Sequence, residues 1–151
     1  MATNEEKQVC SKRYLSHIRD IKKVLKYKRE RVSRMRSKLE PVGITYGDKI
    51  TTSATVDRLE CLSIKVDDLI KECIEQECLY IDELRVALRA ISKVQDYYAQ
   101  EVLNMYYIDC LSQKEICKKL EISRTTQHNY HVRGLAMLYD YIPEVDKRAE
   151  I

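Results

Sequence analysis

The sequence contains few residues that make turns, and it lacks two of the three large aromatic residues. Its 151 residues include 3 Gly, 2 Pro, no Trp and no Phe. Glycine and proline interrupt regular structure more often than other residues, so their scarcity argues against many short strands joined by turns. Because 34% of the residues are charged, the composition instead predicts an all-α protein with long helices.

The sequence also lacks the signals that place a protein in or across a membrane. It has no apolar run of about eighteen residues, and no signal peptide precedes residue 20. We therefore predict a cytoplasmic protein that makes no contact with a membrane.

The sequence lacks the motifs of several common metal and catalytic sites. The six cysteines form no Cys-x-x-Cys pair, which argues against a disulfide framework. Cys110, Cys117, His128 and His131 have the residue types of a zinc site, but their spacing matches no familiar zinc finger. Paired carboxylates, a nucleophile beside a base and a Gly-rich phosphate loop are also missing. We expect no metal, no cofactor and no enzymatic activity.

Charges of opposite sign are concentrated in two blocks of the sequence. Residues 11–40 contain twelve Lys or Arg and three acidic residues, whereas residues 57–85 contain nine acidic and four basic residues. Both blocks carry apolar residues at steps of three and four, which is the pattern of a heptad helix. The first series is Tyr14, Ile18, Ile21, Leu25, Val32, Met35 and Leu39; the second is Leu59, Leu62, Val66, Leu69 or Ile70, Cys73, Tyr80 or Ile81, Leu84, Leu88 and Ile91.

These patterns predict a helical hairpin in residues 1–94. We expect helices over about 8–39 and 55–94, joined by a loop over 40–54, to fold back as an antiparallel, coiled-coil-like pair. The basic helix would then lie beside the acidic helix, with charges pairing across the seam. Two alternatives remain open: the seams pair between chains in a homo-oligomer, or the basic helix lies on DNA phosphates.

A helix-turn-helix domain is predicted in residues 95–143, followed by a flexible tail over 144–151. Ser112 and Glu115 form the pattern of a capping box at the start of one helix. Ser123, eleven residues after Ser112, has the position of an N-cap for the next helix. This spacing is typical of an element that places its second helix in the major groove of DNA.

The candidate DNA-binding residues are polar or basic and lie mostly at the start of the second helix. They are Arg124, Thr125, Thr126, His128, Asn129, Arg133, Lys118, Ser112 and Ser123. An arginine can bind guanine O6 and N7 as a fork, and an asparagine can bind adenine N6 and N7 in the same way. His131 falls on the inner stripe of this helix, where we expect a packed structural role. Gly134 lies in mid-helix and predicts a close approach of a neighbouring helix.

Residues from about 87 to 143 resemble region 4 of sigma-70-type transcription factors. The matching residues are Val102, Leu103, Tyr107, Glu115, Ile116, Leu120, Ser123, Arg124 and Leu135. Together with the two heptad helices, the chain resembles phage-encoded late-gene transcriptional activators of the ArpU and RinA type. Two positions depart from the pattern: Gln127 replaces an aliphatic residue, and Tyr106 replaces an arginine.

The resemblance implies a phage or prophage transcription regulator that reads double-stranded DNA with the helix after Ser123. In region 4 the recognition helix reads a promoter element, and Arg124, Thr125, His128 and Asn129 fall on the reading positions. Two other functions remain open. One is an interaction protein that binds RNA polymerase or a sigma factor without reading DNA, and the other is a recognition subunit for phage DNA packaging of the small-terminase kind.

Overall fold

The computed structural model describes residues 2–39 and 53–148, and all regular structure in these ranges is helical. The all-α prediction is therefore confirmed. The helices are α1 (Asn4–Leu39), α2 (Ser53–Ser92), α3 (Tyr97–Leu103), α4 (Gln113–Leu120), α5 (Arg124–Leu138) and α6 (Glu144–Arg148), with a π-helical turn over Asn104–Ile108 and a 3-10 turn over Tyr139–Tyr141. Within the described residues, no helix is both long enough and apolar enough to cross a lipid bilayer.

Two sequence predictions extend beyond the described residues. The predicted loop over 40–54 lies outside them up to residue 52, and residues 53 and 54 already belong to α2. The predicted tail over 144–151 begins with the short helix α6, and its last three residues lie outside the described ranges. The hairpin over 1–94 and the domain boundary near residue 95 stay predictions.

The chain divides into two compact units. One unit, which we call the composite unit, contains residues 1–22 together with 80–151. The other, which we call the two-helix unit, contains residues 23–79. Each unit holds a part of α1 and a part of α2, and α3 to α6 belong to the composite unit.

The composite unit has one hydrophobic core to which α1, α2, α3, α5 and the turns after α3 and α5 contribute. Its members are Leu15, Ile18, Ala87, Ala90, Ile91, Val94, Ala99, Leu103, Tyr107, Leu135, Leu138 and Ile142. Burial of a large aliphatic side chain contributes about 1.5–3 kcal/mol, so this cluster is the main source of stability in the unit. It holds α5 against α3 and thereby fixes the face that α5 presents to water.

The heptad prediction for the long helices was wrong at three positions. Met35, Leu59 and Leu88 were expected in the seam, but all three side chains are exposed. In the composite unit, Ala87 is buried in place of its neighbour Leu88. Ala87 is small enough for neighbouring helices to approach closely. The apolar spacing of the sequence instead predicted that the larger Leu88 would be buried. Met35 and Leu59 lie toward the ends of their helices, where no residue of the described ranges covers them.

A close contact between α3 and α5 explains the glycine in the middle of α5. A Cβ atom at Gly134 would lie 3.0 Å from Cδ1 of Leu103 and 3.3 Å from Cβ of Ala99. A larger residue would push against these buried side chains. The prediction that Gly134 marks the close approach of a neighbouring helix is confirmed.

Candidate nucleic-acid interface

Helix α4 begins with the capping box that the sequence predicts. The backbone amide of Glu115 donates to Oγ of Ser112 at 3.2 Å, and the amide of Ser112 donates to Oε2 of Glu115 at 3.0 Å. Two amides that a helix start leaves without partners are thereby satisfied. The Ser112 side chain therefore has a structural role, and its exposure leaves it available for a second contact.

A tight turn joins α4 to α5. Glu121 adopts a left-handed backbone conformation with φ of 54°, and the amide of Ile122 donates to the carbonyl of Cys117 at 3.1 Å. The amide of Thr126 then donates to Oγ of Ser123 at 3.2 Å, and the two hydroxyl groups lie 2.8 Å apart. The N-cap predicted at Ser123 is confirmed, and Ser123 and Thr126 are both engaged in the start of α5.

Four of the predicted reading residues share one exposed surface at the start of α5. Arg124, Thr125, His128 and Asn129 are all exposed. With about 3.6 residues per turn, Arg124, His128 and Thr125 lie on one face and Asn129 lies at its edge. The buried face of α5 consists of Gln127, Gly134, Leu135 and Leu138. We call the four exposed residues the α5 polar face.

A shallow groove beside the α5 polar face adds residues that the sequence interpretation missed. Gln113, Lys114 and Cys117 of α4 line it together with Arg124 of α5. An adjoining depression is lined by Gln113 and by α5 residues that include Gln127. Only the packing of α4 against α5 shows that the first turn of α4 lies here. The sequence signal for this part of the interface was Gln113, a polar residue directly after Ser112 of the capping box.

Gln127 is buried at the base of the α5 polar face. Its side chain is 1% exposed, and its Nε2 atom has no hydrogen-bond partner among the described residues. The region 4 pattern has an aliphatic residue at this position, but the structure buries a glutamine there. An amide donor without a partner is costly in an apolar site.

Lys118 and Arg133 line neither the groove nor the depression at the start of α5. Lys118 is an exposed residue in the last turn of α4. The guanidinium group of Arg133 donates to Oδ2 of Asp96 at 3.1 Å. Oδ1 of the same aspartate caps α3 by accepting from the amides of Tyr98 and Ala99. Arg133 therefore connects α5 to the start of α3.

His131 is packed inside the composite unit, as the sequence predicts. Its Nε2 atom lies 2.7 Å from the hydroxyl oxygen of Tyr107, which is fully buried. Burial lowers the pKa of His131 to about 4, and the positive charges of Lys12 and His128 add to this effect. Burial also raises the pKa of Tyr107 above its usual value. At neutral pH the two side chains are uncharged, and their hydrogen bond connects α5 to the turn after α3.

Basic residues from the first half of α1 also pack within the composite unit. The guanidinium group of Arg19 lies over the ring of Tyr106, 4.3 Å from its centre. Nζ of Lys22 donates to the carbonyl of Ile108 at 2.6 Å. These two cations contact the segment that follows α3, so they are engaged with the protein rather than presented to a ligand.

The four residue types that suggested zinc are not assembled into a metal site. His131 points to Tyr107, whereas His128 belongs to the exposed α5 polar face. In residues 2–39 and 53–148, no group of three or more His, Cys, Asp or Glu side chains is arranged to hold a metal ion.

Comparisons with known proteins give one family. No curated protein and no solved structure matches the chain. A family model matches residues 63–139, which run from the first third of α2 to the end of α5 and cover just over half of the sequence. The matched segment includes both helices of the candidate interface and the turn between them. This protein therefore belongs to the DUF1492 family, described as a protein of unknown function.

Proposed function

We propose that this protein is a cytoplasmic, DNA-binding transcription regulator of phage or prophage type that places α5 in the major groove. The α5 polar face carries this proposal: Arg124, Thr125, His128 and Asn129 are exposed together at the start of a helix. Helix-turn-helix proteins contact base edges with the N-terminal residues of their second helix. The packed opposite face of α5 gives these side chains a rigid support.

The side chains of the α5 polar face suit the edges of base pairs. In the proposed complex, Arg124 binds a guanine through O6 and N7, and Asn129 binds an adenine through N6 and N7. Thr125 packs its methyl group on a thymine methyl or donates to a phosphate. His128 makes a further hydrogen bond to a base edge or a phosphate near Thr125.

Phosphate contacts in this proposal come from the basic residues of α4. Lys114 lines the groove next to Arg124, and Lys118 is exposed one turn later on the same helix. Lysine contacts with phosphate carry no sequence information, but they fix the position of the protein on the duplex. The resemblance of residues 87–143 to sigma region 4 supports the same orientation of α5.

Selection of bound duplexes from a random pool, followed by titration of variants, tests the proposal. Arg124→Ala is expected to cost about 1–3 kcal/mol of binding to the selected sequence and to relax the preference at one base pair. Lys118→Ala is expected to weaken selected and random duplexes alike and to reduce the salt slope by about 1.

Arg133→Ala is the matched control for Arg124→Ala. It removes an arginine from the same helix, but one that is paired with Asp96, so the preference for the selected sequence should be retained. A protein that binds RNA polymerase tightly in a pull-down and shows no duplex binding would contradict the proposal and favour the interaction-protein alternative.

A further inference from the structure

The two-helix unit buries very little apolar surface for its length. Of its described residues, only Leu25, Val66 and Cys73 are buried apolar residues. Seven large apolar side chains are exposed: Val24, Tyr27, Met35, Leu59, Ile64, Ile74 and Leu79. Helix pairs gain stability by burying a continuous apolar seam between them. Its described residues leave most of their apolar side chains in water, which makes this surface a candidate for docking.

A groove between α1 and α2 in the two-helix unit contains one of these exposed residues, Ile74. Its floor is apolar and consists of Val32 from α1 and Ile70, Cys73 and Ile74 from α2. The rim carries Arg29 and Arg36 on the α1 side and Glu77 on the α2 side. Arg29 and Glu77 pair with each other in the single chain, so Arg36 is the rim charge without a partner among the described residues. We call this feature the inter-helix groove. An apolar floor between rims of opposite charge is complementary to itself after a rotation of half a turn.

Most charged residues in the described part of the two-helix unit have no ion-pair partner there. Residues 23–38 of α1 contain eight Lys or Arg and one acidic residue, whereas residues 57–79 of α2 contain seven acidic and three basic residues. Among the described residues of this unit, Arg29 with Glu77 is the one ion pair. The amine of Lys28 donates to Gln76, which is uncharged. A strongly basic segment of α1 and an acidic segment of α2 therefore keep most of their charges free for a second molecule.

We propose that the inter-helix groove binds the same groove of a second copy of this chain in a two-fold symmetric dimer. The symmetry places the basic α1 of each copy against the acidic α2 of the other, and it covers both apolar floors. Four helices then share one core, which is a more stable arrangement than an isolated helix pair. A DNA duplex fits this surface less well, because its phosphates would meet the carboxylates of α2 and leave the apolar floor uncovered.

Sedimentation equilibrium of the full chain across a range of concentrations tests the dimer. The mass is expected to approach that of two chains and the dimer to weaken as salt increases, because opposite charges contribute to it. Ile74→Glu is the main variant, since Ile74 is 55% exposed in the single chain. It is expected to raise the dissociation constant at least about 100-fold, because two-fold symmetry places the new carboxylate in the interface twice.

Val145→Glu is the matched control for Ile74→Glu. Val145 is 81% exposed and lies in α6 of the composite unit, so this variant should dimerise as the unmodified protein does. A protein with the mass of one chain at all concentrations would overturn the proposal. An equal response to the two variants, or a mass of three or more chains, would also overturn it.

Hydrogen exchange of the unmodified protein gives a result that does not depend on how a variant folds. As concentration rises, protection is expected to increase in amides of residues 23–38 and 57–79 and to stay constant in residues 97–142. Protection that is independent of concentration in both ranges would contradict the dimer. This inference does not rest on DNA binding, since sedimentation and exchange are measured without DNA.

Discussion

The composite unit and the two-helix unit contain parts of the same two long helices, yet they differ greatly in packing. Fourteen apolar residues are buried in the described part of the composite unit, and three are buried in that of the two-helix unit. In the composite unit, α3 and α5 contribute to one core together with α1 and α2. A heptad pattern alone therefore does not produce a closed core. The two units differ in burial because further helices pack on α1 and α2 in the composite unit.

Truncation of one buried leucine in each unit measures this difference directly. Leu103→Ala is expected to lower the free energy of unfolding by about 3 kcal/mol, because Leu103 is fully buried and its loss leaves a cavity. Leu25→Ala should cost about 1–2 kcal/mol, because the site in the two-helix unit is less enclosed. Urea denaturation of dilute protein, together with hydrogen exchange for each unit, provides both values.

Gly134 supplies a control for the Leu103 result. In the unmodified protein, Gly134→Ala is expected to destabilise, because its Cβ would lie 3.0 Å from Leu103. In the Leu103→Ala background the same change should cost less or stabilise slightly, since the contact with Leu103 is relieved and alanine favours the helix, while the contact with Cβ of Ala99 at 3.3 Å remains. Equal losses at Leu103 and Leu25 would show that the two units are packed to the same degree. Additive effects at Gly134 and Leu103 would show that these two positions are not in tight contact.

Features that depend on neighbours in the sequence could be predicted from it. Ser112 with Glu115, Ser123 with Thr126, and Asp96 with the amides that follow it are all contacts within three residues. Each of these residues satisfies backbone donors that any helix start exposes, so the residue type is sufficient evidence. The starts of α3, α4 and α5 could therefore be predicted without knowledge of the fold.

Features that depend on distant residues could not be predicted in the same way. Ala87 and Ala90 are small, and their burial becomes evident only when a neighbouring helix is placed against them. The position of Arg19 over Tyr106 joins residues far apart in the sequence. Lys114 was missed at the candidate interface because its place beside Arg124 depends on how α4 packs on α5.

The pH dependence of the free energy of unfolding gives a second test of how tightly the composite unit is packed. The folded-state pKa of His131 is about 4, below its ordinary value of 6.5. The unfolded chain therefore binds a proton at higher pH than the folded chain. The stability that this residue provides is complete above pH 6.5 and is lost as the pH falls toward 4. We expect a loss of about 2 kcal/mol in the composite unit, allowing for partial access of water to the ring.

Two histidine variants separate this effect from the titration of other groups. His131→Gln should remove the pH-dependent part of the loss between pH 6.5 and 4. His17→Gln should retain the loss that comes from His131, because His17 is an exposed histidine outside the Tyr107–His131 pair. Urea denaturation at several pH values measures both variants. An unchanged pH profile in His131→Gln would contradict the buried, neutral Tyr107–His131 pair.

The smallest expected effect compares one substitution, Glu to Gly, in the two units. At Glu121 the backbone is left-handed, with φ of 54°, a conformation that costs a non-glycine residue about 1 kcal/mol or more. Glu121→Gly should therefore stabilise the composite unit by about 0.5–1 kcal/mol, even though glycine makes the unfolded chain more flexible.

The same change at Glu75 should have the opposite sign. Glu75 is an exposed residue within α2 of the two-helix unit, and glycine in a helix interior costs about 1 kcal/mol. Thermal and urea denaturation of both variants determine the sign at each position. Loss of stability at both positions would show that the turn between α4 and α5 is not strained at Glu121. Opposite signs would show that a tight, left-handed turn holds α5 in the composite unit, whereas the two-helix unit depends on uninterrupted helix.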